Sequence, residues 1–303
     1  MTTLSAPTLR PADWARLLLL SLFWGGSFFF IRVAVVEVPP FTLVLARVAI
    51  AAMLLWCVLP LFGVKVPRDP RIWFALAVLG FFNNVLPFSL ISWGQQHVGT
   101  ALAAILNGAA PLSTVLLAHI WTRDEKMTRA RLGGVLLGFA GVVVLVGPEA
   151  LSGIGLATLG AAAILLATFF YSVGVIVARR LPAVPPIMLA TGQMTFGTLF
   201  MLPLALVFDQ PWTLSPGPWS IGAIVALAIG STAFGYLLYF RIIRDAGATN
   251  ASLVTLLNPA SAALLAIVFL GEWPGPLALP GFMLIAAGLL VVDGRLLRRR
   301  TVP

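Results

Sequence analysis

Ten apolar stretches run through this sequence, and every second gap between them is basic. The amino-terminal segment carries Arg10 and Arg16, the gap after the second stretch Lys65, Arg68 and Arg71, and the gap after the fourth Arg123, Lys126, Arg129 and Arg131. Arg179 and Arg180 follow the sixth stretch, Arg241 and Arg244 the eighth, and Arg295, Arg298, Arg299 and Arg300 the tenth. Acids occupy the intervening gaps: Glu37, Glu149, Asp209 and Glu272. Arg32, near the outer end of the first stretch, and Arg47, inside the second, are the two basic residues that depart from the pattern. Basic loops resist translocation and stay on the cytoplasmic side. The alternation therefore predicts ten membrane crossings with both termini in the cytoplasm. A backbone inside lipid must satisfy its own hydrogen bonds, so apolar segments of this length are helices. The expected class is an all-α membrane protein.

Composition excludes the soluble alternatives. The chain is 60% hydrophobic and only 10% charged, with a mean hydropathy of +1.03, whereas about a quarter of a soluble domain's residues are charged. The net charge of +9 sits in short loops flanking apolar spans. It reads as topology and anionic-lipid contact, not as nucleic-acid binding. Cys57 is the single cysteine, so no internal disulfide is possible. The first stretch continues through Phe28, Phe29, Phe30 and Ile31 to Arg32 without a small-residue cleavage site, and is expected to be a retained helix and not a removed leader. No Gly-rich loop with a phosphate-binding Lys is present; energy would come from gradients or simple equilibration. No cofactor and no metal site is expected.

The spans are expected over residues 17–36, 41–62, 72–93, 98–121, 132–146, 156–178, 187–207, 219–240, 248–270 and 277–292. Most hold about 20 residues, roughly 30 Å of helix and the thickness of the hydrocarbon core. The chain is written twice. Gly99 through Pro111 superimposes on Gly247 through Pro259 at one offset, and Asp124 then falls on Glu272. Pro39 and Pro40 pair with Pro185 and Pro186, which sets Arg47 opposite Gln193. Gly134 and Gly141 recur as Gly281 and Gly288. Residues 1–147 and 148–303 thus form two copies of five crossings. An odd number per copy makes the second enter from the opposite side, an inverted repeat around a central cavity.

Several local patterns point the same way. The first span carries Phe23-Trp24-Gly25-Gly26-Ser27, and Pro39-Pro40 is followed by Arg47. Asp124-Glu125-Lys126-Met127-Thr128 precedes a Gly-rich helix, and the second copy carries Leu256-Leu257-Asn258-Pro259 and Gly271-Glu272. In order and spacing these resemble the drug/metabolite transporter superfamily, in its ten-helix EamA-type branch, over about 17–146 and 156–292. The resemblance implies an inner-membrane carrier, commonly an exporter of amino acids or related metabolites, with a cavity between its halves.

Proline inside a helix frees the carbonyl four residues earlier. Pro111 frees Asn107 and Pro259 frees Thr255, in the fourth and ninth spans; paired interruptions point to a midplane site. The alternative is that Ser113, Ser261 or small neighbours satisfy those carbonyls and the prolines only bend packed helices. Pro87 similarly frees Asn83 in the third span but has no equivalent in the eighth. Polar side chains should face the bundle interior. Trp24 and Phe28 share a face of the first span with Ser21; Asn83 and Asn84 belong to the third, Tyr171 to the sixth, Gln193 to the seventh, and Thr232 and Tyr236 to the eighth. With Asn107 and Asn258 they suggest a cavity of aromatic walls and uncharged hydrogen-bonding groups. Trp93 and Tyr239 suit a membrane interface better. Arg47 either holds a substrate carboxylate by a two-pronged bond or anchors helix ends and carbonyls. His119 suits an interface, and His97 says little.

No Asp or Glu lies deep in a span, which disfavours a cationic substrate, while Arg47 alone is little positive charge for a polyanion such as a nucleotide sugar. A zwitterionic or neutral amphipathic solute fits best, and amino acids, including aromatic ones, qualify; multidrug and nucleotide-sugar carriers are the alternatives within the superfamily. An intramembrane enzyme would need a converging nucleophile and base, or metal ligands, and two His with an unpartnered Cys57 do not supply them. The glycines of the fifth and tenth spans serve either packing within the chain or a weak homodimer.

Overall fold

The structure is a computed structural model that describes residues 10–121, 127–146, 155–178, 181, 184–246, 251 and 253–293. Arg123, Asp124, Glu125, Lys126, Glu149, Arg179, Arg180, Gly247 and the arginines from 295 to 300 lie outside the described residues. Among the described residues the long helical segments are α1 (Pro11–Ala34), α2 (Pro40–Phe62), α3 (Pro70–Gly94), α4 (Thr100–Trp121), α5 (Arg129–Val146), α6 (Leu156–Ala178), α7 (Pro186–Asp209), α8 (Pro218–Ala246), α9 (Val254–Leu270) and α10 (Ala278–Asp293). Seven of them, α1 to α4 and α6 to α8, are long and apolar enough to cross a membrane by length and composition. α9 and α10 are shorter and apolar.

Local chemistry sets these boundaries. Pro11, Pro40, Pro70, Pro186 and Pro218 each stand first in their helix, where the missing N–H would have no partner anyway. Gly63 and Gly271 follow the ends of α2 and α9 at φ +64° and +65°, the left-handed cap that glycine adopts without penalty. α1 begins at Pro11 and α8 continues to Ala246, beyond the expected 17 and 240. A hydrogen-bonded helix does not stop where its side chains turn polar, and hydropathy sees only the apolar part.

Helix contacts fall in matched sets. α1 packs on α8 and α9, and α6 packs on α3 and α4; α2 meets α8 while α7 meets α3. α2 also lies along α7, with Phe41 against Phe208 at one end and the Trp56 indole N–H donating to Thr195 Oγ1 (2.9 Å) nearer the other, so the two run antiparallel. The densest pairing is α5 with α10. A Cβ at Gly134 would lie 2.7 Å from the Gly288 carbonyl, and one at Gly141 2.7 Å from the Gly281 carbonyl, so these helices are antiparallel too. With no water to expel in lipid, such close backbone approach is what holds helices together. The small faces expected either to pack internally or to form a dimer are occupied within the chain.

Three carboxylates lace one end of the bundle. Glu272 Oε2 accepts the Thr100 N–H at the start of α4 (2.9 Å), Asp209 Oδ2 the Thr42 N–H in the first turn of α2 (2.6 Å), and Glu37 Oε2 the Gly217 N–H just before α8 (2.8 Å). Each satisfies an orphan amide at a helix start and its positive dipole end. Each also bridges from one half of the sequence to the other. Glu272 is further held by Arg32 Nε (2.9 Å), whose Nη1 donates to the Gln95 carbonyl (2.9 Å). Desolvation pushes the Glu272 carboxyl up, but the Thr100 and Arg32 hydrogen bonds outweigh it, and it titrates below its ordinary range. Exposed Trp212, Trp219 and Trp273 ring this end, as an interfacial aromatic belt would.

Candidate functional site

The central polar groups are presented by two widened helical turns. In α3 a π segment spans Phe81–Val85, so that the Leu86 N–H reaches the Phe81 carbonyl. Pro87 explains it, since the helix must rearrange around a missing donor. α8 carries a π segment over Leu227–Phe234 without any proline. Here Thr232 supplies the compensation, its hydroxyl donating to the Leu227 carbonyl (3.0 Å). The eighth span has no proline equivalent to Pro87, yet it carries a π segment of its own, with the Thr232 hydroxyl on the Leu227 carbonyl.

The paired prolines sit in different surroundings. α4 breaks at Gly108 and Ala109, between Thr100–Asn107 and Ala110–Trp121, just ahead of Pro111. Pro259 lies inside the continuous helical stretch Val254–Leu265, where it has no N–H to donate to the Thr255 carbonyl. The two places are in contact: a Cβ at Gly108 would sit 3.5 Å from the Pro259 ring.

Arg47 projects from α2 into this region and is 8% exposed. Its Nε–H donates to Thr232 Oγ1 (2.9 Å), and its Cζ lies 3.7 Å from the centroid of the Phe88 ring. Among the described residues no carboxylate pairs with it, and its Nη groups make no hydrogen bond. Tyr171 and Tyr236 are close enough to feel its charge. Tyr171 meets the edge of Phe88 at 6.3 Å, and Tyr236 the edge of Trp24 at 6.3 Å. Trp24 also tilts against Tyr239 at 5.0 Å. Tyr239, expected at an interface, thus belongs to the aromatic wall.

The amides form a group of their own. Asn83 Nδ2 donates to Gln193 Oε1 (3.1 Å), and Asn84 Nδ2 to the Gln193 carbonyl (2.9 Å). Gln193 in turn lies beside the Tyr236 hydroxyl. Trp24, Asn83, Asn84, Tyr171, Gln193, Thr232, Tyr236 and Arg47 are therefore one connected cluster. Asn107 and Asn258 stand apart on α4 and α9, each with a buried Oδ1 that has no partner among the described residues. Phe28 is packed into the core at 4% exposure, with its carbonyl accepting from Gln95 Nε2 (2.9 Å). Trp93 stacks edgewise on His97 at 4.7 Å, and the His119 ring accepts the Met127 N–H; both histidines lie away from the cluster. Phe88 was not singled out in the sequence. Its signal is the four-residue spacing from Asn84, which places both on one helix face.

The profile of the EamA-like transporter family matches residues 14–147 and 158–292. The chain belongs to that family. Its relatives are transporters and not enzymes. The chain is 29% identical, over 96% of each sequence, to a probable terminal-alkyne amino-acid exporter of Streptantibioticus cattleyicolor. It is 28% identical to an uncharacterized transporter of Archaeoglobus fulgidus, over 92% of this chain and 98% of that one. An uncharacterized inner membrane transporter of Escherichia coli K12, YedA, is 24% identical over 84% of this chain and 81% of its own length. A crystal structure superimposes with a TM-score of 0.69 over 97% of this chain and 100% of its own, at 23% identity, a likeness of fold. The EamA-like match falls on both sequence copies, and each contributes to the cluster: Arg47 and Asn83 from the first, Gln193 and Thr232 from the second.

Proposed function

We propose that this EamA-like transporter is a secondary carrier that exports amino acids, aromatic ones included, or related small zwitterionic metabolites by alternating access. The observation that carries the proposal is Arg47: a buried guanidinium with no carboxylate partner among the described residues, bordered by Phe88, Tyr171 and Tyr236. Burying an arginine in a span costs about 2.5–3.5 kcal/mol, and a substrate carboxylate is the counter-ion that would offset it. Amide and hydroxyl groups of Asn83, Asn84, Gln193 and Tyr236 suit the remaining polar atoms, and the Trp24–Tyr236–Tyr239 wall suits an apolar or aromatic side chain. The name of the Streptantibioticus relative accords with this substrate class.

In this proposal all ten helices cross the inner membrane, the termini are cytoplasmic, and residues 1–147 and 148–303 are two copies of opposite orientation. The antiparallel pairings of α2 with α7 and α5 with α10 support it, because each joins a helix to its counterpart in the other copy. Matched contacts of α1 and α6 with their partners support it as well. Rocking of the copies about the cluster would then expose the site to each side in turn. The test is counterflow in liposomes holding the purified protein. A preloaded amino acid should drive uptake of its labelled form, and Trp24→Ala and Tyr236→Ala should lower that uptake with insertion intact. No exchange of any amino acid by the native chain would end the proposal.

A further inference from the structure

We infer that Thr232 is a positioning residue that sets the selectivity of the carrier: it turns the Arg47 guanidinium so that its two Nη groups face the site as a fork for a carboxylate. This rests on the amino-acid carrier reading above and adds how the anion is told from its neutral analogues.

A guanidinium has one edge at Nε and a free end at its Nη pair. Thr232 takes the Nε–H, and its own hydrogen is already committed to the Leu227 carbonyl five residues back. The hydroxyl can therefore only accept from Arg47, which fixes the direction of the bond. Phe88 covers one face of the ion at 3.7 Å. With one edge and one face held, the Nη end is what remains to meet a ligand, and it is the part that matches both oxygens of a carboxylate.

The other copy holds the control for this inference. Arg47 stands opposite Gln193, and Thr232 stands opposite Asn84, since 84 to 232 is the same step as Gly99 to Gly247. Both counterpart pairs touch: Arg47 Nε donates to the Thr232 hydroxyl, and Asn84 Nδ2 to the main-chain carbonyl of Gln193, whose side-chain amide accepts from neighbouring Asn83 Nδ2. A neutral amide is thus enough to tie helix to helix at this crossing. The charge at position 47 is more than the tie requires, and its unused donors are the difference. The hydroxyl lies in the π segment of α8, where the carbonyl that orients it is five residues back.

The experiment uses the full chain in liposomes and a panel of amino acids, followed by the carboxamide of the best-carried member. Thr232→Val keeps the shape and removes the hydroxyl. It should raise the half-saturation constant for the amino acid about tenfold, the size of one charge-assisted hydrogen bond, and that for the carboxamide several-fold less. Thr232→Ser should restore most of the affinity. Arg47→Lys, which keeps the charge without the fork, and Phe88→Leu, which removes only the stacking face, should give the same selective loss. They read the inference even where Thr232→Val yields little folded protein. An equal change for acid and amide, or no change, would overturn the role of Thr232 while leaving the carrier standing. A native chain that exchanges no amino acid would overturn the carrier reading and this inference with it.

Discussion

Gly288→Ala is expected to destabilise the protein although it adds a single methyl group. The new Cβ would lie 2.5 Å from the Gly134 carbonyl oxygen, 2.7 Å from the Gly138 nitrogen and 2.9 Å from the Gly138 Cα. All three are backbone atoms of α5, so no side-chain rotation relieves the contact. Restoring ordinary separations requires α5 and α10 to part by about 1 Å, and overpacking of this kind costs about 1–3 kcal/mol. Alanine's better helix propensity returns up to about 1 kcal/mol, leaving a net loss of up to about 2 kcal/mol. Gly133→Ala, in the facing helix α5, is the control, because its Cβ meets nothing within 4 Å; it should be neutral or slightly stabilising. The assay is thermal unfolding in detergent, read as the folded fraction surviving a temperature series. Native stability in Gly288→Ala, or an equal loss in Gly133→Ala, would refute the claim that these helices touch backbone to backbone. Gly134→Ala combined with Gly288→Ala should be less than additive, since the first substitution already separates the pair.

Three further outcomes are expected. Trp24→Ala removes two aromatic contacts, to Tyr236 and Tyr239, each worth about 0.5–1.5 kcal/mol; exchange of aromatic amino acids should fall about tenfold in liposomes, with the folded yield unchanged. Glu272 contributes through a carboxyl held below its ordinary value, so its contribution is complete above the unfolded carboxylate range, about pH 4.3, and is lost as pH falls through the depressed folded value. Acidification should accordingly lower the unfolding temperature, and Glu272→Gln should be less stable at neutral pH with a flatter acid limb. Gln193→Leu leaves Asn83 Nδ2 without its acceptor and should impair exchange more than the same change at exposed Gln96, as paired flux measurements would reveal.

The helices were legible because lipid leaves a chain few options, and apolar stretches of this length read as helix. Much of the cluster was legible too: polar atoms are rare enough in these spans that Asn83, Gln193, Thr232 and Arg47 had few places to go except toward each other. The three lacing carboxylates were not. Glu37, Asp209 and Glu272 looked like loop acids on the side that basic residues avoid, and nothing in a gap's composition names the helix start it will cap. That choice belongs to the assembly, through Gly217, Thr42 and Thr100. The π segment of α8 was hidden for a related reason: proline announces a broken ladder, whereas Thr232 repairs one only after the backbone has widened. Pro111 and Pro259 read alike in the sequence, whereas α4 breaks just ahead of the first and α9 stays helical through the second.

The central claim is that Arg47 receives the carboxylate of an amino acid carried across the membrane. Counterflow of labelled amino acids into liposomes holding the native chain, beside Arg47→Gln, tests it most directly. The account predicts exchange by the native protein and a loss in Arg47→Gln of about tenfold or more, the worth of a charge-assisted hydrogen bond, with little change for the matching carboxamide. Equal exchange by the two proteins would contradict it.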